Sequence, residues 1–126
     1  MKSFITAVLI GVFMISGCIL YTNEVEDIAD SLKAENKKMI AFLENDDFEG
    51  AKRAHASVES HLKDKLIMLA AIGDHEEFDR MEIYLSQVCE YIEEEHKGDA
   101  LATCEALDIM FSHMPKNYRL RAENIL

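Results

Sequence analysis

Five histidines, His55, His61, His75, His96 and His113, and three cysteines, Cys18, Cys89 and Cys104, carry most of the chemistry this chain could offer. His75 and Asp79, four residues apart, share a helix face and are weak binding candidates for a ligand or metal ion. Zinc needs three or four converging ligands, and neither a His-Glu-x-x-His stretch nor a paired-cysteine spacing occurs. A structural or solvent-facing role is therefore the simpler expectation for His75. Met110, His113 and Met114 have the softness for copper(I), yet Met110 and Met114 fit a core stripe better. Glu93, Glu94, Glu95 and Asp99 form an acidic cluster without the spacing of a calcium-binding hand, so a solvated face is expected. No serine or cysteine has a recognisable base near it in sequence. The expectation is a protein that is not an enzyme, with no catalytic residue, cofactor or metal.

Cys89 and Cys104 lie on either side of a turn near residues 97 and 98, which places them on facing helices about 3 Å apart in height. A disulfide and a pair of buried free thiols are both open to them, and free thiols are preferred. Cys18 closes the run Ile15-Ser16-Gly17-Cys18, which resembles a bacterial lipobox and makes Cys18 a lipidation candidate.

That cysteine sits inside the strongest signal in the chain. Residues 4–21 are uncharged and apolar, preceded by Lys2 and followed by Glu24, Glu26, Asp27 and Asp30. Eighteen apolar residues approach the length needed to span a bilayer, and positive charge before the run with acid after it sends the following domain outward. An uncleaved membrane helix, a lipid anchor on Cys18 and a cleaved secretory signal are all open, the uncleaved helix foremost. Residues 1–22 are accordingly a membrane anchor or lipoprotein signal segment, and residues 23–126 an extracytoplasmic domain.

The remaining sequence predicts an all-α fold, an antiparallel bundle of about four helices. The first runs over about 24–45 with Val25, Ile28, Leu32, Met39 and Phe42 as its seam and Glu35 in the missing slot. Nothing between Cys18 and Asn45 breaks a helix, so the anchor can continue straight into it. The second starts at Asp46, presents Phe48, Ala51, Ala54, Val58, Leu62, Leu66 and Leu69, and stops at Gly73. Asp74 caps the third, where Phe78, Met81, Leu85, Val88 and Ile92 recur at three and four without a miss. Gly98 ends it, and Asp99 opens a fourth with Leu101, Cys104, Leu107, Phe111 and Met114 inward until Pro115 closes it. The last eleven residues, with Tyr118, Leu120, Ile125 and Leu126, are expected to fold back across the bundle. Phe42-Leu43-Glu44 and Ala51 echo Tyr91-Ile92-Glu93 and Ala100 at an offset of 49, read here as two hairpins sharing a packing logic rather than a repeat.

With a net charge of -11, and carboxylates about double the basic residues, nucleic acid is excluded as a partner. The stretch Asp74-His75-Glu76-Glu77-Phe78-Asp79, the helix through Tyr91-Ile92-Glu93, then Met114-Pro115 and the closing Glu123-Asn124-Ile125-Leu126 resemble the small bacterial proteins grouped as domain of unknown function 4363. The resemblance spans nearly the whole chain; the tryptophan often found in the second helix of such proteins is absent. It implies an N-terminal hydrophobic anchor and a helical body, and no activity. The expectation is a membrane-tethered extracytoplasmic helical module of a bacterial cell membrane, an interaction or structural protein engaging lipid and another envelope protein. The alternative is an extracytoplasmic ligand- or metal-binding protein.

Overall fold

A computed structural model describes residues 1–71 and 73–125, with side chains described through residue 117. Four helices follow one another: α1 (Lys2–Glu44), α2 (Phe48–Ala70), α3 (His75–Glu93) and α4 (Lys97–Ile125). They form an antiparallel bundle in which α1 packs against α2 and α4, and α3 packs against the same two. There is no strand among the described residues.

The buried stripes explain the architecture. Val25, Ala29, Leu32, Asn36, Met39 and Leu43 on α1 alternate steps of four and three, as do Phe78, Met81, Leu85, Val88 and Ile92 on α3 and Ala100, Cys104, Leu107, Phe111 and Met114 on α4. On α2 the same rhythm runs through Ala51, His55, Val58 and Leu62 to Leu69. A mean step of about 3.5 residues keeps a seam facing its neighbours along a shallow left-handed supercoil, which suits near-antiparallel helices joined by short turns.

Several boundaries differ from the sequence expectation. The apolar run and the first bundle helix are one unbroken 43-residue helix, because no glycine pair or proline intervenes between Cys18 and Asn45. The slot expected for Glu35 belongs to Asn36, and Leu43 rather than Phe42 is fully buried. Gly98 does not end α3; the chain turns at Glu95, with φ of 57°, and Gly98 lies in the first turn of α4. Pro115 does not close α4 either. The helix continues through it to Ile125 instead of folding back, although a proline inside a helix forfeits one backbone bond and typically costs about 3 kcal/mol. Phe111 and Met114, both fully buried, grip the helix immediately before the proline. The packing expected of Tyr118, Leu120, Ile125 and Leu126 falls on side chains outside the described residues.

The offset of 49 proves structural. At the first turn Asp46 N–H donates to the Leu43 carbonyl at 3.1 Å and Asp47 N–H to that of Phe42 at 2.8 Å. At the second, Glu95 N–H donates to Ile92 at 3.1 Å and His96 N–H to Tyr91 at 2.8 Å. Both are the paired bonds that close a helix through a left-handed residue, here Asp46 (φ 56°) and Glu95 (φ 57°). Since 49 residues are seven heptads, the two hairpins keep the same stripe register as well. Lys97 ties the two turns together, donating to the Glu44 carbonyl at 3.2 Å and pairing with Asp46 at 3.1 Å.

Candidate functional site

The residues with chemistry are dispersed. His75 and Asp79 are both exposed on the first turn of α3, sharing a face as expected, and no third ligand joins them. Among the described residues no group of three His, Cys, Asp or Glu is placed to hold a metal ion. His113 is exposed and lines an open groove with Glu77, Arg80, Met110 and Asn117, where Asn117 Nδ2 donates to Glu77 Oε1 at 3.1 Å. Met114, by contrast, is fully buried in the core. His96 sits at the far turn, 3.5 Å from Glu94, and the acidic residues Glu93, Glu94, Glu95 and Asp99 around it are exposed.

Cys89 and Cys104 are free thiols. Cys104 is fully buried on the α4 stripe, and burial pushes its thiol up to about 12. Cys89 is half-buried in a hollow shared with Lys52, His55 and Ala56 of α2. Its thiol is also raised, by desolvation first and then by the carboxylates of Glu93, Glu59 and Glu90. Neither is poised as a nucleophile, since the reactive form is the thiolate. Cys18 is half-buried in α1, and its carbonyl accepts from the Thr22 hydroxyl at 2.8 Å.

Two features that the sequence did not single out organise the interior. Asn36 Nδ2 donates to the Cys104 carbonyl at 2.9 Å, joining α1 to α4, and the buried Asn36 Oδ1 has no partner. His55 Nε2 donates to the Leu85 carbonyl at 2.7 Å, joining α2 to α3. Leu85 lies 49 residues after Asn36, and Cys104 lies 49 after His55. The two bonds are therefore one contact made twice, with donor and acceptor roles exchanged between the hairpins. The signal available in the sequence was two polar residues falling on the three-and-four stripe. A third cross-link, His61 Nδ1 to Glu35 Oε1 at 3.3 Å, lies between α1 and α2 outside that seam.

The apolar first half of α1 meets the bundle at a well-defined junction. The first half of α1 contains an 18-residue window of mean hydropathy 2.4, none of it buried, so it is long and apolar enough to cross a membrane. Phe4, Leu9, Phe13 and Leu20 stand exposed along it. The Thr6 hydroxyl is satisfied within the helix, donating to the Lys2 carbonyl at 2.9 Å. At its C-terminal end Tyr21 Oη donates to the Met68 carbonyl at 2.7 Å, with the Leu69 carbonyl at 3.5 Å. These carbonyls belong to the last turn of α2, and that of Leu69 also accepts from Gly73 N–H at 3.0 Å. Four residues on, Val25 is fully buried. A single helix thus passes from bare apolar surface to bundle core within about one turn.

No curated protein and no solved structure matches the chain. One family model does match, over residues 19–125, and its description is Domain of unknown function (DUF4363).

Proposed function

We propose, taking as premise that the chain belongs to the DUF4363 family, that this protein is a membrane-tethered, non-enzymatic helical module whose bundle stands outside the cytoplasm and engages another envelope protein. The observation that carries this reading is the continuity of α1, bare and apolar over its first half and buried in the bundle over its second. A hingeless helix holds the bundle at a fixed height and tilt above the lipid, which suits a scaffold more than a domain that must search for substrate. The dispersed histidines and the protonated thiols give no support to a catalytic centre. Lys2 before the apolar run and the acids after it orient the bundle outward.

Crosslinking in native membranes, followed by mass spectrometry, tests the reading. A recurrent envelope protein joined to surface lysines such as Lys52 or Lys63 is the expected result. Recovery of the uncrosslinked monomer alone, or of the chain in the cytosolic fraction, contradicts it.

A further inference from the structure

At the corner between α2 and α3, the last turn of α2 joins an uncharged run to a strongly exposed aliphatic side chain. From Leu66 to Ala71 no side chain carries a charge, and Ile67 is 88% exposed. Among the described residues, the other strongly exposed isoleucines of the bundle, Ile83 at 56% and Ile109 at 57%, each have a carboxylate as neighbour in sequence, Glu82 and Asp108. Leu66 and Met68 are half-buried, and Ala71 is exposed.

The position of this corner decides what covers it. The bond from Tyr21 to the Met68 carbonyl sets the last turn of α2 beside the outer end of the apolar run 4–21. Because α2 is antiparallel to α1, each residue beyond Met68 descends toward the anchor by about 1.5 Å. Ala70 and Ala71 therefore lie alongside the last turn of the run, not above it.

We propose that the α2–α3 corner, led by Ile67, is inserted into the headgroup-to-acyl boundary of the bilayer that holds α1, as a second membrane contact. The inference rests on reading residues 4–21 as a membrane span and goes beyond it, because a span alone leaves Ile67 in water. Three features of the corner fit lipid. The carbonyls of Met68 and Leu69 are occupied, by the Tyr21 hydroxyl and by Gly73 N–H at 3.0 Å, so the last turn of α2 does not carry them bare into an apolar phase. Lys63 and Lys65 precede the corner on long stems that can return their ammonium groups to the headgroups. An isoleucine buried at that depth leaves water, the direction the hydrophobic effect favours. With α1 as one support and the corner as another, the bundle is fixed in rotation about the α1 axis as well as in height.

The test uses the full-length protein in phosphatidylcholine vesicles, with Cys18→Ser and Cys89→Ser leaving only the buried Cys104. An environment-sensitive fluorophore is attached in turn at Ile67→Cys, at Phe13→Cys within the run, and at Ser57→Cys on the exposed flank of α2. The expected result is a blue shift and a loss of intensity to shallow lipid-borne quenchers at 67, blue-shifted emission quenched from deeper in the bilayer at 13, and neither at 57. Emission at 67 as water-like as at 57, with 13 still quenched, overturns the proposal while leaving the span intact. That is also the result if the corner is kept for a protein partner, since the vesicles contain none. Water-like emission at both 13 and 67 overturns the span and the corner together.

Discussion

Replacing Asn36 by leucine isolates the energetic role of the polar contact in the core. Asn36 is fully buried, donates once at 2.9 Å to the Cys104 carbonyl, and leaves its own Oδ1 without a partner. The lost hydrogen bond contributes a net of about 1 kcal/mol, while an unsatisfied buried acceptor costs about 1–3 kcal/mol. The Cys104 carbonyl keeps its place in the backbone ladder of α4, so it is not orphaned. Overpacking would work against the variant, but the position 49 residues on already holds a leucine, Leu85, in the equivalent site of the second hairpin. Adding the burial of a leucine side chain, the net expectation for Asn36→Leu is a stabilisation of about 1–2 kcal/mol. Urea unfolding of residues 23–126, followed by circular dichroism at 222 nm, should show the midpoint rising by about 0.5–1 M at unchanged slope. A lowered midpoint would refute the reasoning, because it would mean the single donated bond outweighs the stranded oxygen. Sedimentation of the same samples checks the complementary hypothesis, that Asn36 is retained because it fixes helix register. A variant that is more stable and still a single species would leave that hypothesis without support.

The remaining predictions concern the turns and the thiols. Glu95→Gly should stabilise the bundle by about 0.5–1 kcal/mol, read from the same unfolding curves, because a glutamate pays a steric penalty at φ of 57° that glycine avoids. Gly50→Ala should destabilise by about 1–3 kcal/mol, since a Cβ there would lie 2.5 Å from Phe42 Cδ1 and 2.6 Å from the Asp47 carboxylate that caps α2. Cys104 should stay unmodified by maleimide at pH 8 until the protein is unfolded, while Cys89 reacts first. The folded value of Cys104, about 12, lies above the ordinary 9.0, so the folded state holds the proton more tightly, and stability is retained below about pH 9 and lost as pH rises from there toward 12. Comparing the pH dependence of unfolding in the parent and in Cys104→Ala isolates that loss, which reaches at most about 1.4 kcal/mol per pH unit.

How much of this could be read from the residues depended on whether each stripe position was filled by a large apolar side chain. On α3 every slot was, and Phe78, Met81, Leu85, Val88 and Ile92 are all buried as their spacing required. On α1 and α2 the stripe includes Asn36 and His55, which hydropathy alone ranks as surface, so Glu35 and Ala54 took their places in the reading. The turns were misplaced for a different reason. Left-handed closure is expected at glycine, and here Asp46 and Glu95 supply it, which drew the helix boundary to Gly98 instead. Pro115 read as a stop because its local cost is certain, whereas the tertiary grip of Phe111 and Met114 that offsets it involves residues distant in sequence. The weak candidates His75 and Asp79 are both exposed on α3, yet a pair at this spacing carries no information on whether a third ligand converges from another helix. The cross-helix contacts of Asn36 and His55, and the corner capped by Tyr21, depend on which helices become neighbours, which spacing along one helix does not encode.

The claim on which the account turns is that one helix both crosses the membrane and enters the bundle, leaving the bundle outside. Spheroplasts expressing full-length Ser57→Cys, with Cys18→Ser and Cys89→Ser, can be treated with a membrane-impermeant maleimide before and after lysis. The account predicts full labelling of residue 57 in intact spheroplasts and a membrane-bound product. Labelling that appears only after lysis, or a labelled chain released into the soluble fraction, would contradict it.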